Sequence, residues 1–124
     1  MNEAKKEKLK QKLVKANLMD SNDTIIDCLQ ANYKENLLGK IKSGWKQGYI
    51  YFTQEKIVFV AIGSISIPYH KIRKLEKSTQ FFLPLGMDVT YEDPDGKTIL
   101  QKFSLQKRND WIDFLAEKSG ITVE

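Results

Sequence analysis

Few residues in this sequence can do covalent chemistry, and they stand apart from one another. Cys28 lies among apolar neighbours in residues 24–33. A nucleophilic thiol needs a lowered pKa and a nearby base, whereas a small buried hydrophobe needs neither. His70 is the only histidine. It can serve as a pH-sensitive contact, but a metal site needs partners, and no Cys/His cluster supplies them. Nothing in the spacing joins Cys28 to His70 as a dyad. Glu92, Asp93 and Asp95 crowd one turn without the ligand spacing that calcium requires. The chain is therefore expected to be no enzyme, to hold no metal and to carry no cofactor.

Residues suited to binding are easier to find. Gly39-Lys40-Ile41-Lys42-Ser43-Gly44-Trp45-Lys46 is a glycine-punctuated stretch with three lysines and a tryptophan. Lys40, Lys42 and Lys46 beside Trp45 suit a phosphorylated headgroup, held by charge-assisted hydrogen bonds. Lysines are also the commonest exposed loop residues, and that plainer reading stands beside the first. The apolar run Phe81-Phe82-Leu83-Pro84-Leu85-Gly86-Met87 has two readings as well. As a loop, Phe81, Phe82, Leu83 and Leu85 form a contact surface or a tip that dips into a membrane. As a strand, its phenylalanines close one end of the core, and this second reading is the expectation.

Charge is concentrated at one end. Residues 1–15 carry Lys5, Lys6, Lys8, Lys10, Lys12 and Lys15 against Glu3 and Glu7, an excess equal to the whole chain's net charge of +4. The remainder is formally neutral, which argues against a duplex-DNA face, and no nucleic acid is expected as partner. Tyr49 and Tyr51 project outward from a strand, but no RNA-recognition motif accompanies them. No apolar stretch approaches 18 residues, and no secretory signal pattern opens the chain. With a single cysteine, a cytoplasmic protein is expected, peripheral at the inner face of the membrane. The lysine- and isoleucine-rich composition points to a bacterial source.

The elements that position these residues follow from periodicity. Residues 2–19 suit a helix with a narrow stripe of Leu9, Leu13, Val14 and Ala16. It is either a basic amphipathic element on anionic lipid or acidic protein, or a solvated helix docking one stripe on the domain. After the polar break at 20–23, residues 24–33 read as a first strand, with a short helix as the alternative. Gly48-Tyr49-Ile50-Tyr51-Phe52-Thr53 and Ile57-Val58-Phe59-Val60 flank a polar turn and form the central β-hairpin. Ile65-Ser66-Ile67 resumes the alternation, Pro68 marks an edge, and Ile72 and Leu75 face inward. Pro94-Asp95-Gly96 turns a second hairpin between 87–91 and 98–105. Residues 107–118 are helical, with Trp111, Ile112, Phe114 and Leu115 on one face and Gly120 as the stop.

Taken together, 48–53 with 57–59, Ile67-Pro68 with Ile72 and Glu76, Asp95-Gly96-Lys97 with Phe103, and Trp111 in a terminal helix resemble the GRAM and bacterial pleckstrin-homology-like superfamily. The resemblance implies a mainly β fold (α+β): a bent antiparallel seven-stranded barrel of two near-orthogonal sheets, capped by the C-terminal helix. It implies a domain at 24–124, with a separate basic helix and linker at 1–23. The implied inward set is Ile50, Phe52, Ile57, Phe59, Ile67, Ile72, Val89, Tyr91, Phe103 and Leu105, plugged by Trp111, Phe114 and Leu115. Lipid-binding relatives use basic residues where Lys40, Lys42 and Lys46 stand, although Gln47 and Gly48 occupy places where those relatives often carry an arginine. Two functions are thereby implied. One is a non-catalytic intracellular module recognising anionic lipid headgroups, another phosphorylated ligand or the membrane surface. The other is a protein–protein adaptor without a lipid ligand, using a sheet edge or the groove beside the terminal helix.

Overall fold

The central hairpin forms where β-branched and aromatic residues alternate. In the computed structural model, the residues described are 1–37, 40–41 and 45–124, with side chains described outside 35–44. Strands β3 (Lys46–Thr53) and β4 (Lys56–Val60) pair antiparallel, Tyr49 opposite Val60 and Phe52 opposite Ile57. Thr53 closes the turn: its hydroxyl accepts from the Glu55 and Lys56 backbone N–H groups and donates to the Lys56 carbonyl. Gly48 is required by close approach, since a Cβ there would collide with the Val60 carbonyl and the Phe59 ring.

Strand β1 (Ile25–Leu37) organises the rest, because its two ends serve different neighbours. Ile25 to Tyr33 pairs with β3, and Ala31 to Leu37 pairs with β8 (Thr98–Leu105), so 31–33 pair on both sides. The strand is longer than its apolar pattern suggests, since Lys34, Glu35 and Asn36 continue the ladder. A two-residue strand β2 (Lys40–Ile41) turns back onto its end. With β5 (Ser64–Pro68), β6 (Ile72–Gln80) and β7 (Leu83–Glu92), the antiparallel path runs β5-β4-β3-β1-β8-β7-β6. Seven strands lie on that path, as expected. The β7–β8 turn keeps its local logic: Asp93 accepts from the Asp95 and Lys97 backbone N–H groups, and Gly96 takes φ 82°.

All ten residues of the expected inward set are buried, joined by Leu75 and Met87. The helix α2 (Arg108–Ser119) closes this core. Trp111 stacks flat on Phe52 with centroids 4.0 Å apart, Phe114 meets Phe52 and Tyr69 edge-on, and Ile112 and Leu115 are fully buried. Arg108 is buried too, and its guanidinium donates to the carbonyls of Ser78 at 2.9 Å and Gly86 at 2.6 Å. Beyond α2, Val123 bridges Leu75 in parallel, and the Glu124 N–H donates to the Leu75 carbonyl at 2.8 Å. The chain's own residues therefore add to the β6 edge.

The helix α1 (Glu3–Lys15) is capped by Asn2, whose side chain accepts from the Lys5 N–H. Its stripe docks: Leu13 and Met19 bury against Ile25, Tyr51 and Val58, with Leu9, Val14 and Leu18 packed alongside. This second apolar cluster covers the outer side of β1, β3 and β4. Tyr51 is consequently buried, while Tyr49 stays exposed. Asp23 ties the linker to the central hairpin by accepting from the Thr24 and Gln54 N–H groups.

One expectation is corrected. Phe81 and Phe82 do not continue a strand or close the core. They form the turn between β6 and β7, where Gln80 pairs with Leu83, and they point into solvent at 77% and 99% exposure. The core needs neither of them, because Leu75, Met87 and Val89 fill the space beneath that hairpin.

Candidate functional site

The lysine-bearing end is built by the alternation of β1 and β3. Tyr33 points inward onto Phe59, centroids 4.6 Å apart, and period two then sends Lys34 outward. The Lys34 ammonium lies 5.2 Å from the centroid of the half-buried Trp45 ring, a cation–π contact. Lys46 opens β3 opposite Tyr33 and is exposed. Lys40 pairs through its backbone with Leu37; its side chain, and Lys42 altogether, lie outside the described residues. The structure thus brings Trp45 together with Lys34, which the sequence reading did not single out, while Lys46, paired with Tyr33, falls on the other face of the sheet. The signal was present: Lys34 follows an inward tyrosine at strand period.

The apolar candidates stand further along the same ladder. Lys34 pairs with Lys102 and so lies level with Asp88, whereas Phe82 is the tip of the hairpin that β7 begins. At ~3.3 Å per residue, the strand between Asp88 and Phe82 spans about 20 Å. The Lys34–Trp45 contact and the phenylalanine tip therefore stand apart. Phe81, Phe82 and Leu83 are exposed together, while Leu85 is half-buried and borders a recess with Gln30, Gln47 and Gln80.

A second basic surface comes from α1. Lys5, Lys8, Lys12 and Lys15 are exposed, while the apolar stripe between them is spent on the body. Met1, Lys5 and Lys12 line a recess with Tyr49 and Gln30. Gln30 borders both recesses, so the first turns of α1 and the base of the β6–β7 hairpin lie on one flank.

The covalent candidates do not converge. Cys28 lies under α1, half-buried; burial pushes its thiol pKa up and Asp27 adds to this, against opposing effects from its Tyr51 hydrogen bond and Lys5. Such a thiol stays protonated and is a poor nucleophile. His70 is exposed and lines a different recess, with Gln54, Tyr69 and Lys118. Tyr51 is pushed up to about 12, mainly by burial, and Tyr69 is raised further, by burial and then by Asp23. Among the described residues, no group of His, Cys, Asp and Glu is arranged to hold a metal ion, and no helix is long and apolar enough to cross a membrane.

Solved structures share this architecture. The C-terminal domain of an unknown protein from Leishmania infantum matches with a TM-score of 0.58 and 19% identity, over 90% of this chain and 94% of that one. The Vps36 N-terminal PH domain matches with a TM-score of 0.53 and 14% identity, over 83% of this chain and 81% of that one. The fold is pleckstrin-homology-like. At these identities the likeness speaks for the fold alone. No protein-family model and no curated protein matches the chain. Among the described residues, the outer surface of this PH-like fold carries the exposed α1 lysines, the Lys34–Trp45 contact and the exposed hairpin tip.

Proposed function

We propose that this PH-like domain is a non-catalytic binding module for anionic membrane surfaces, and that α1 is its electrostatic face. The observation that carries this reading is the use made of the α1 stripe. With Leu13 buried and Leu9 and Val14 packed on the body, the helix is fixed and Lys5, Lys8, Lys12 and Lys15 are held in water. A lysine near an anionic leaflet contributes about 1 kcal/mol, so four together shift partitioning by roughly a thousandfold. The remainder of the chain is formally neutral and adds no net opposing charge.

The adaptor reading relies on a free sheet edge, β5 or β6, or on the groove beside α2. On β6 that edge already carries Val123 and Glu124, which favours the membrane reading over peptide addition there. Co-sedimentation with vesicles of neutral or anionic lipid tests the proposal. The protein is expected to pellet with anionic vesicles at low salt and to be released at high salt. Lys5→Glu, Lys8→Glu and Lys12→Glu together should abolish pelleting, whereas Lys40→Glu, Lys42→Glu and Lys46→Glu should leave most of it. The reverse pattern would move the site to the lysine loop, and no pelleting at all would sink the membrane reading.

A further inference from the structure

The β6–β7 turn carries residues that its own backbone geometry disfavours. A two-residue hairpin loop with both central residues at positive φ is a type I′ turn, which favours Asn-Gly because a side chain there is strained. Here the two residues are Phe81 at φ 49° and Phe82 at φ 65°. Bulky aromatics in the left-handed region are outliers that persist only when the surrounding structure holds them. Folding gains little from them, since they are 77% and 99% exposed, and Leu83 beside them is 54% exposed. The hairpin is anchored from behind instead: the Arg108 guanidinium holds the carbonyls of Ser78 and Gly86, and Ser104 donates to the Gln80 side chain. A stiffly held turn thus offers adjoining apolar side chains to solvent, where Asn-Gly would serve folding better.

We infer that Phe81 and Phe82 form a wedge that enters the apolar layer of the bilayer. This inference rests on the membrane reading above and names the part that penetrates. Three observations choose lipid as the occupant. The tip is convex, formed by the outermost residues of a two-residue turn, so it suits a deformable layer. The α1 stripe is already buried, which leaves the helix only charge to offer. The recess bordered by Gln80 and Leu85 shares Gln30 with the recess bordered by Lys5 and Lys12, so the base of the tip's hairpin adjoins the side of α1 that carries those two lysines. Basic groups held at the headgroups beside an aromatic tip are the arrangement an interfacial anchor needs.

Full-length Phe82→Trp tests this on anionic vesicles whose acyl chains carry bromine, with the wild type as background for Trp45 and Trp111. The wedge predicts vesicle-dependent quenching in the variant well beyond that of the wild type. Pelleting without the added quenching would overturn the wedge and leave the electrostatic reading intact; failure of the wild type to pellet would overturn both. A double variant, Phe81→Asn with Phe82→Gly, guards against misfolding as an explanation. Its denaturation midpoint should rise, because the turn gains the residues it prefers, while vesicle affinity falls about tenfold or more. Unchanged affinity would refute the wedge. So would concentration-dependent dimers of the wild type that the double variant abolishes, since they would make a second copy the occupant.

Discussion

The helix α2 lays Trp111 flat on Phe52 and buries Ile112, Leu115 and even Arg108, whereas α1 fully buries Leu13 alone and leaves Lys5, Lys8, Lys12 and Lys15 in water. Both helices pack against the same antiparallel sheet. One completes the core, and the other covers an outer face with a second, smaller cluster. The difference separates what holds this fold together from what it leaves exposed at the surface. A broad aromatic face has fulfilled its role once buried. A narrow stripe flanked by lysines is buried only so far as to fix the charges in place.

The sharpest way to break this comparison is to truncate one buried side chain under each helix. Ile112→Ala should cost about 4 kcal/mol, because the residue is fully buried in the main cluster. Leu13→Ala should cost about 2 kcal/mol, because its cluster is small and can relax at its edge. Denaturant unfolding of both variants decides it. A larger loss at Leu13 would make α1 part of the core and undo the distinction.

A smaller effect sharpens the comparison through pH. Burial raises the Tyr69 phenol under α2, and Tyr51 to about 12 and the Cys28 thiol under α1. Each group keeps its proton in the folded state where the unfolded chain has released it, so stability falls as pH rises. The contribution is complete below the thiol's ordinary 9.0 and is lost as pH climbs from there through about 12. Tyr69→Phe and Tyr51→Phe should each flatten this alkaline decline near pH 10 to 11, because the unfolded phenol releases its proton around 10.0 while both folded phenols still keep theirs. Melting curves between pH 8 and 11 would show it, and a decline left unchanged in both variants would contradict it. Smallest of all should be the effect of the α1 lysines on stability, within about 0.5 kcal/mol for each Lys→Glu.

Where local pattern and burial agree, the fold was readable from the residues. Gly48 to Val60, the Pro94-Asp95-Gly96 turn and the Trp111-to-Leu115 face all landed in their expected elements. The far half of β1 was not legible, because Lys34, Glu35 and Asn36 look like loop residues and join the ladder only through β8. Arg108 was hidden for a related reason: its burial depends on two carbonyls distant in sequence. Phe81 and Phe82 misled most, since large apolar residues are usually buried and rarely take positive φ. The same two departures that defeat pattern reading are what single the turn out for the proposed wedge. The docking of α1 lay between these cases: its stripe was visible, but only Tyr51 and Val58 across the sheet show what covers it.

The most direct measurement is the salt dependence of affinity for anionic vesicles, taken side by side for three proteins. These are the wild type, the Lys5→Glu, Lys8→Glu, Lys12→Glu variant and the Phe81→Asn, Phe82→Gly variant. If α1 supplies charge and the hairpin tip supplies apolar insertion, the lysine variant loses both affinity and salt dependence. The tip variant then keeps the wild-type salt dependence at uniformly lower affinity. Equal salt dependence in the wild type and the lysine variant, or a tip variant that binds as tightly as the wild type at every salt concentration, would contradict the account.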